Sequence, residues 1–201
     1  MLSKNNCLQL MCDMLMPEHI VAHSIQVYRV AVCLADHLNS KGNYLDNQLL
    51  QAAALLHDIT KSRSFETAEN HALTGGQQLA DLGYPEVGNL VRQHVRLDDY
   101  SDLKDISEAV VVNYADKRVL HDRIVSLDER MGYIQERYGT EPQHKQRIQL
   151  LWDKTQVLEK QMFKQLPFSP EALYRHLSEL DIYREIANYR KICPQPANGS
   201  R

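Results

Sequence analysis

The chain has 201 residues, 43% hydrophobic and 24% charged, the makeup of a soluble globular protein with one sizeable core, with or without a helical extension. A formal charge of −3 excludes a molecule that is basic all over, though a local basic patch is still allowed. No apolar run approaches the ~18 residues that span a bilayer, and the first residues lack the basic start, apolar stretch and cleavage site of a secretory leader, so a cytoplasmic location is expected.

The first residues, MLSKNNCLQLMCDMLMPEH, read as a short amphipathic helix. The four cysteines, Cys7, Cys12, Cys33 and Cys193, make no Cys-x-x-Cys pair, which removes a zinc ribbon. They are expected to be reduced thiols. Residues 17–39 place Ile20, Val27, Val30, Ala31, Leu34 and Leu38 on one stripe, with Pro17 suited to the first turn. Residues 46–58 repeat the pattern with Leu49, Ala52, Ala53 and Leu56. A third helix is predicted over 68–82, stopped by Gly83, and a fourth opens at Pro85 and runs toward His94. The fifth begins at Asp105, with Glu108 three residues on in a capping-box spacing. Val110 to Val112 favour a strand, but the cap and the length outweigh three β-branched residues.

Beyond residue 125 the chain is richly charged. A thinner stripe of Leu127, Met131, Ile134, Ile148, Leu151, Trp152 and Leu158 predicts two helices packed on the main body or on a partner, a homodimer included. Ser169-Pro170 is expected to start a last helix carrying Leu173, Leu177, Leu180, Ile186 and Tyr189, and residues 193–201 read as a frayed tail. No alternating strands are evident, so the fold class is all-α. The division is a first unit over 1–125 and a helical extension over 126–201.

The informative residues are the polar ones that fall on apolar stripes. His23 lies on the stripe of the first long helix. His57 and Asp58 end the second, His71 leads the third, His94 closes the fourth and Asp116 sits one turn after Val112. Burying imidazoles and carboxylates is costly unless they are paired or bound to a metal. A single histidine on an apolar face is more often a satisfied core residue. Six such residues from five helices are explained together by a metal site. Imidazole plus carboxylate suits Mn²⁺, Fe²⁺, Co²⁺, Ni²⁺ or Zn²⁺.

AHS at 22–24, LLHDITK at 55–61, NHALTGG at 70–76, QHV at 93–95 and YADK at 114–117 give the order H…HD…H…H…D. Over about residues 15–125 this resembles the HD-domain superfamily of metal-dependent phosphohydrolases. Thr60 stands where the common second motif has glycine. The resemblance implies an HD-type helical bundle with one metal on His23, His57, Asp58 and Asp116. It further implies a second ion on His71 and His94, with Asp58 bridging, as in small binuclear nucleotide hydrolases of the diadenosine tetraphosphate hydrolase type.

A divalent ion in such a site lowers the pKa of bound water and holds phosphate oxygen. Asp58 is then the expected catalytic carboxylate, able to orient the metals and accept the proton of the attacking water. Lys61, one turn on, is expected to neutralise a phosphate oxygen in catalysis and binding, and Arg63 to grip a distal phosphate. Of Lys117, Arg118 and Arg123, one is expected to face the pocket and two to be solvated. The expected partner is a small phosphorylated substrate, a nucleotide, with no membrane and no strong nucleic-acid signal. The same ligand set also admits a di-iron oxygenase or a nucleotide-binding regulatory module.

Overall fold

The computed structural model describes residues 2–100, 105–177 and 179–194. Side-chain oxygens open many of its helices, each accepting from an amide that helix geometry leaves without a partner. Ser3 opens α1 (Lys4–Asp13), Asp46 opens α3 (Asn47–Leu56), and Asn70 opens α5 (His71–Asp81). Ser107 opens α7 (Glu108–Lys117) and Ser126 opens α8 (Leu127–Tyr138). Prolines start others, because their fixed φ and missing N–H suit a first turn: Pro85 for α6 (Pro85–Val91) and Pro142 for α9 (Pro142–Phe163). α2 (Glu18–Asn39) follows Pro17. A short α4 (Lys61–Thr67) ends at Ala68 in the left-handed conformation, so the helix predicted over 68–82 begins three residues later, at His71.

The cap of α7 is Ser107 and not Asp105, because the Ser107 hydroxyl is the oxygen that reaches the Val110 amide. Glu108 instead accepts from the Asp46 amide and ties the start of α7 to the cap of α3. Val110 to Val112 are helical, as the length of the segment predicts.

α2 runs through the middle, packed on α3 and α7, while α3 also meets α1 and α6. Leu34, Leu38, Leu50, Leu55, Leu56, Val111 and Val112 are all fully buried there. α5 lies so close on α6 that a Cβ on Gly76 would sit 2.7 Å from the Gly88 carbonyl, and one on Gly88 2.3 Å from the Gly76 carbonyl.

The expectation of no strands needs one correction. β1 (Val119–Leu120) and β2 (Arg123–Ile124) pair antiparallel. Four residues are too few to show a period, and the turn is made by His121 in the left-handed conformation, φ 57°. Ser169-Pro170 also begins a 3₁₀ turn, Pro170–His176, with the last α-helix, α10 (Glu179–Ile192), starting later. Leu177 between them is extended, which breaks the helix. Leu173 and Tyr189 are buried as expected, and the side chain of Leu180 lies outside the described residues.

α10 returns to α1 and α2, held by ion pairs between Lys4 and Glu185 and between Arg190 and Glu18. Cys12 and Cys193, 181 positions apart, form a disulfide. This corrects the expectation of four reduced thiols, of which Cys7 and Cys33 remain free. The physical reason is tertiary: only folding brings the two ends of the chain together. Residues 195–201 of the expected tail lie outside the described residues. No described helix is long and apolar enough to cross a membrane. The architecture is helical throughout apart from the hairpin, as the all-α expectation has it.

Candidate metal centre

α2 delivers His23 from its body. The chain leaves α3 after Leu56 and presents His57 and Asp58 in the turn that follows, before Lys61 starts α4. Asn70 caps α5, which makes His71 its first residue. His94 comes three residues after α6, and Asp116 is the penultimate residue of α7. Asp116 Oδ1 is 3.1 Å from His23 Nε2 and 3.7 Å from His57 Nε2. Asp58 Oδ2 is 3.4 Å from His57 Nε2 and 3.9 Å from His23 Nε2. The other Asp58 oxygen faces the other pair, 3.3 Å from His71 Nε2 and 3.5 Å from His94 Nε2. The structure thus brings all six predicted residues into one cluster, with the Asp58 carboxylate between two imidazole pairs.

The backbone sets the tautomers. His23 Nδ1 is 2.9 Å from the His121 carbonyl, His57 Nδ1 2.8 Å from that of Ala54, and His94 Nδ1 2.7 Å from that of Val91. A carbonyl only accepts, so each Nδ1 carries the hydrogen and each Nε2 turns a lone pair inward. His57 Nε2 is buried without a hydrogen-bond partner. His71 and His94 bring their Nε2 atoms within 3.2 Å, a contact that needs a proton or a cation between them. Imidazole nitrogens converging on two carboxylates, His57 Nε2 among them without a partner, are what a divalent ion requires. The sets His23–His57–Asp116 and His57–Asp58–His94 each have ligand atoms close enough to share one ion.

Charge follows the same plan. Burial opposes ionisation of Asp58, but the charges of His57 and then Lys61 hold its carboxyl well below the usual range. Burial likewise works against Asp116, and His23 and Arg130 hold it well below. Burial pushes His94 down to about 4. Burial alone lowers His57 as well, but Asp58 and Asp116 pull it above its ordinary value. Protons and metal ions compete for that lone pair.

Lys61 Nζ sits 3.0 and 3.3 Å from the two oxygens of Asp58. Arg63 is not brought to the cluster: its guanidinium turns outward to Glu69 at 2.6 Å, because α4 presents positions 61 and 63 on different sides. The expectation that two of Lys117, Arg118 and Arg123 are solvated is wrong. Lys117 is buried, donating to the carbonyls of His94 and Asn113, and burial pushes its ammonium down to about 8. Arg118 is buried, donating to the carbonyls of Val125 and Pro170 and to Tyr114. Arg123 alone is exposed.

Sequence reasoning misses three further contributors. The Thr60 hydroxyl donates to the His71 carbonyl at 2.8 Å and fixes the start of α5, so its departure from glycine is a working contact. Asn113 donates to the carbonyls of Gln93 and His94 and pins the loop that ends in His94. Arg130 of α8 places a guanidinium nitrogen 3.7 Å from Asp116 Oδ1.

The HD domain family model matches residues 20–120, a segment that contains all six clustered residues. A relative in Methanocaldococcus jannaschii, the uncharacterized protein MJ0778, is 27% identical over 149 residues, covering 68% of this chain and 87% of its own. No solved structure matches the chain. With the family model spanning half of its length and its helical core built around a histidine–aspartate cluster able to hold a metal, this chain belongs to the HD domain family.

Proposed function

We propose that the chain is a metal-dependent phosphohydrolase that cleaves a phosphoester or phosphoanhydride of a small substrate, a nucleotide or dinucleoside polyphosphate. The observation that supports this best is the convergence of inward-facing Nε2 lone pairs on the two oxygens of Asp58 and on Asp116. His23, His57, His71, His94, Asp58 and Asp116 hold the metal, and the split facing of Asp58 favours two ions. A divalent ion held there supplies an activated water and offsets charge on the phosphoryl group.

The chain's own residues do the rest. Asp58, ionised and oriented by its imidazoles, accepts the proton of the attacking water. Lys61 balances Asp58 and offers its ammonium to a phosphoryl oxygen as negative charge builds. The backbone carbonyls of Ala54, Val91 and His121 keep the imidazole tautomers fixed throughout.

Metal analysis of protein purified without chelator, followed by phosphate-release assays on mono-, di- and dinucleoside polyphosphates with Mn²⁺, Co²⁺, Ni²⁺ and Fe²⁺, tests this. About two ions per chain and turnover of one nucleotide class are expected. His57→Ala with Asp58→Ala is expected to abolish both. Wild-type metal content in that double variant overturns the ligand assignment, and metal binding with no hydrolysis overturns the activity.

A further inference from the structure

Arg130 is not used by the ligand set, and its surroundings are unusual. Its side chain is only 12% exposed, yet its Nε is buried with no hydrogen-bond partner. Its described contacts are Asp116 Oδ1 at 3.7 Å, beyond hydrogen-bond length, and the ring of Tyr133 at 5.9 Å from the guanidinium carbon. A guanidinium Nε–H buried beside a metal-type cluster without an acceptor is unfavourable unless a ligand supplies one.

The fold holds it there deliberately. The hairpin reverses the chain after α7, and Ser126 then starts α8. The His121 ring packs edge-on to Tyr133, while the His121 carbonyl takes the His23 Nδ1 hydrogen. Arg130 and Tyr133, three residues apart, share one face of the helix, so α8 meets the cluster on its Asp116 side.

The two carboxylates, Asp58 and Asp116, are matched by two cations, Lys61 and Arg130, while Lys117 turns its ammonium to backbone carbonyls. Lys117 also acts on the Asp116 charge, so the cluster carries no net negative charge even with its imidazoles uncharged. Loading it with a divalent ion makes it strongly cationic and sets Arg130 against that ion. An anion between them relieves the repulsion.

We infer that Arg130, from the extension beyond the family-matched segment, is a substrate-binding residue that grips a phosphate group of the ligand opposite Lys61. A phosphate accepts from a guanidinium through two oxygens at once, which matches the fork better than an ammonium would. This rests on the metal-centre reading above. It also assigns α8 a part in the site rather than in packing alone.

The test uses the full chain loaded with Mn²⁺ and inorganic phosphate as the probe. Manganese stoichiometry and phosphate affinity, by calorimetry, are compared in wild type, Arg130→Gln and Arg130→Lys. Arg130→Lys keeps the stem and the charge, and it stands in if the glutamine variant does not fold. Unchanged manganese is expected in both variants. Phosphate affinity is expected to fall about 10- to 100-fold in Arg130→Gln and less in Arg130→Lys. Equal phosphate affinity in wild type and Arg130→Gln overturns the inference and leaves the metal centre standing. Loss of manganese in both variants overturns it in favour of an Arg130 that positions Asp116. A wild type that takes up no manganese overturns the metal-centre reading itself.

Discussion

Two histidines of this site, His57 and His94, are held by carbonyls from the ends of the helices that precede them. Ala54 is one turn before His57 and Val91 one turn before His94, so each imidazole is fixed by its own local backbone. That economy explains why short motifs suffice to mark the ligands. The free thiols show a different single-residue physics. Burial pushes Cys7 up to about 12, and burial with the Asp36 charge pushes Cys33 up to about 11. Each keeps its proton in the folded state above pH 9, where the unfolded chain has released it. Their contribution to stability is present below the unfolded pKa and is lost as pH rises through 11 and then 12. Alkylation of Cys33 by iodoacetamide is therefore expected to keep accelerating toward about pH 11 rather than levelling near 9. A plateau near pH 9 contradicts the buried environment given to Cys33.

At the scale of elements, the contact between α5 and α6 sets the distance between His71 and His94. Gly88→Ala puts a Cβ 2.3 Å from the Gly76 carbonyl, a backbone atom that cannot rotate away. The two helices must separate. A loss of about 1–3 kcal/mol in stability is expected from this overpacking, with weaker metal binding because His71 moves from His94. Gly132→Ala is the control: the added Cβ on α8 meets nothing within 4 Å, and replacing a helical glycine is expected to raise stability by about 0.5–1 kcal/mol. Chemical denaturation measures both. A neutral Gly88→Ala contradicts the close approach, and a destabilising Gly132→Ala contradicts the open face of α8.

Across the whole molecule, side chains in and just after α7 reach the segment beyond residue 125. Arg118 on the residue after α7 reaches the Pro170 carbonyl, and Tyr114 within α7 bonds to Glu159 of α9. The Cys12–Cys193 disulfide then closes the chain end to end. Cross-linking residues so far apart in sequence restricts the unfolded state and is worth about 2–4 kcal/mol. Cys193→Ser, or reductant added to wild type, is expected to lower the unfolding free energy by that amount and the denaturation midpoint with it. Mass spectrometry of the unfolded, unreduced chain should find two alkylated cysteines, and four after reduction. Four before reduction removes the disulfide and restores the expectation of free thiols throughout.

The sequence alone determined most of the helices (though not the short α4), their apolar stripes and the six residues of the cluster. Those signals are local: an amphipathic period repeats within a few residues, and Asn70-His71 or His57-Asp58 announces itself by type and position. Even so, the cap of α7 lies two residues beyond the Asp105 that the spacing predicts, because several nearby oxygens compete for one amide. What only the tertiary structure decided depends on residues far apart in the chain. Arg130 beside Asp116, Thr60 on the His71 carbonyl, Asn113 under His94 and Cys12 bonded to Cys193 leave no periodic trace. Arg63 and Lys61 look alike in sequence, yet one turns to Glu69 in solvent and the other to Asp58 in the site. A side chain's partner across space is set by how helices pack, and packing is a property of the whole chain.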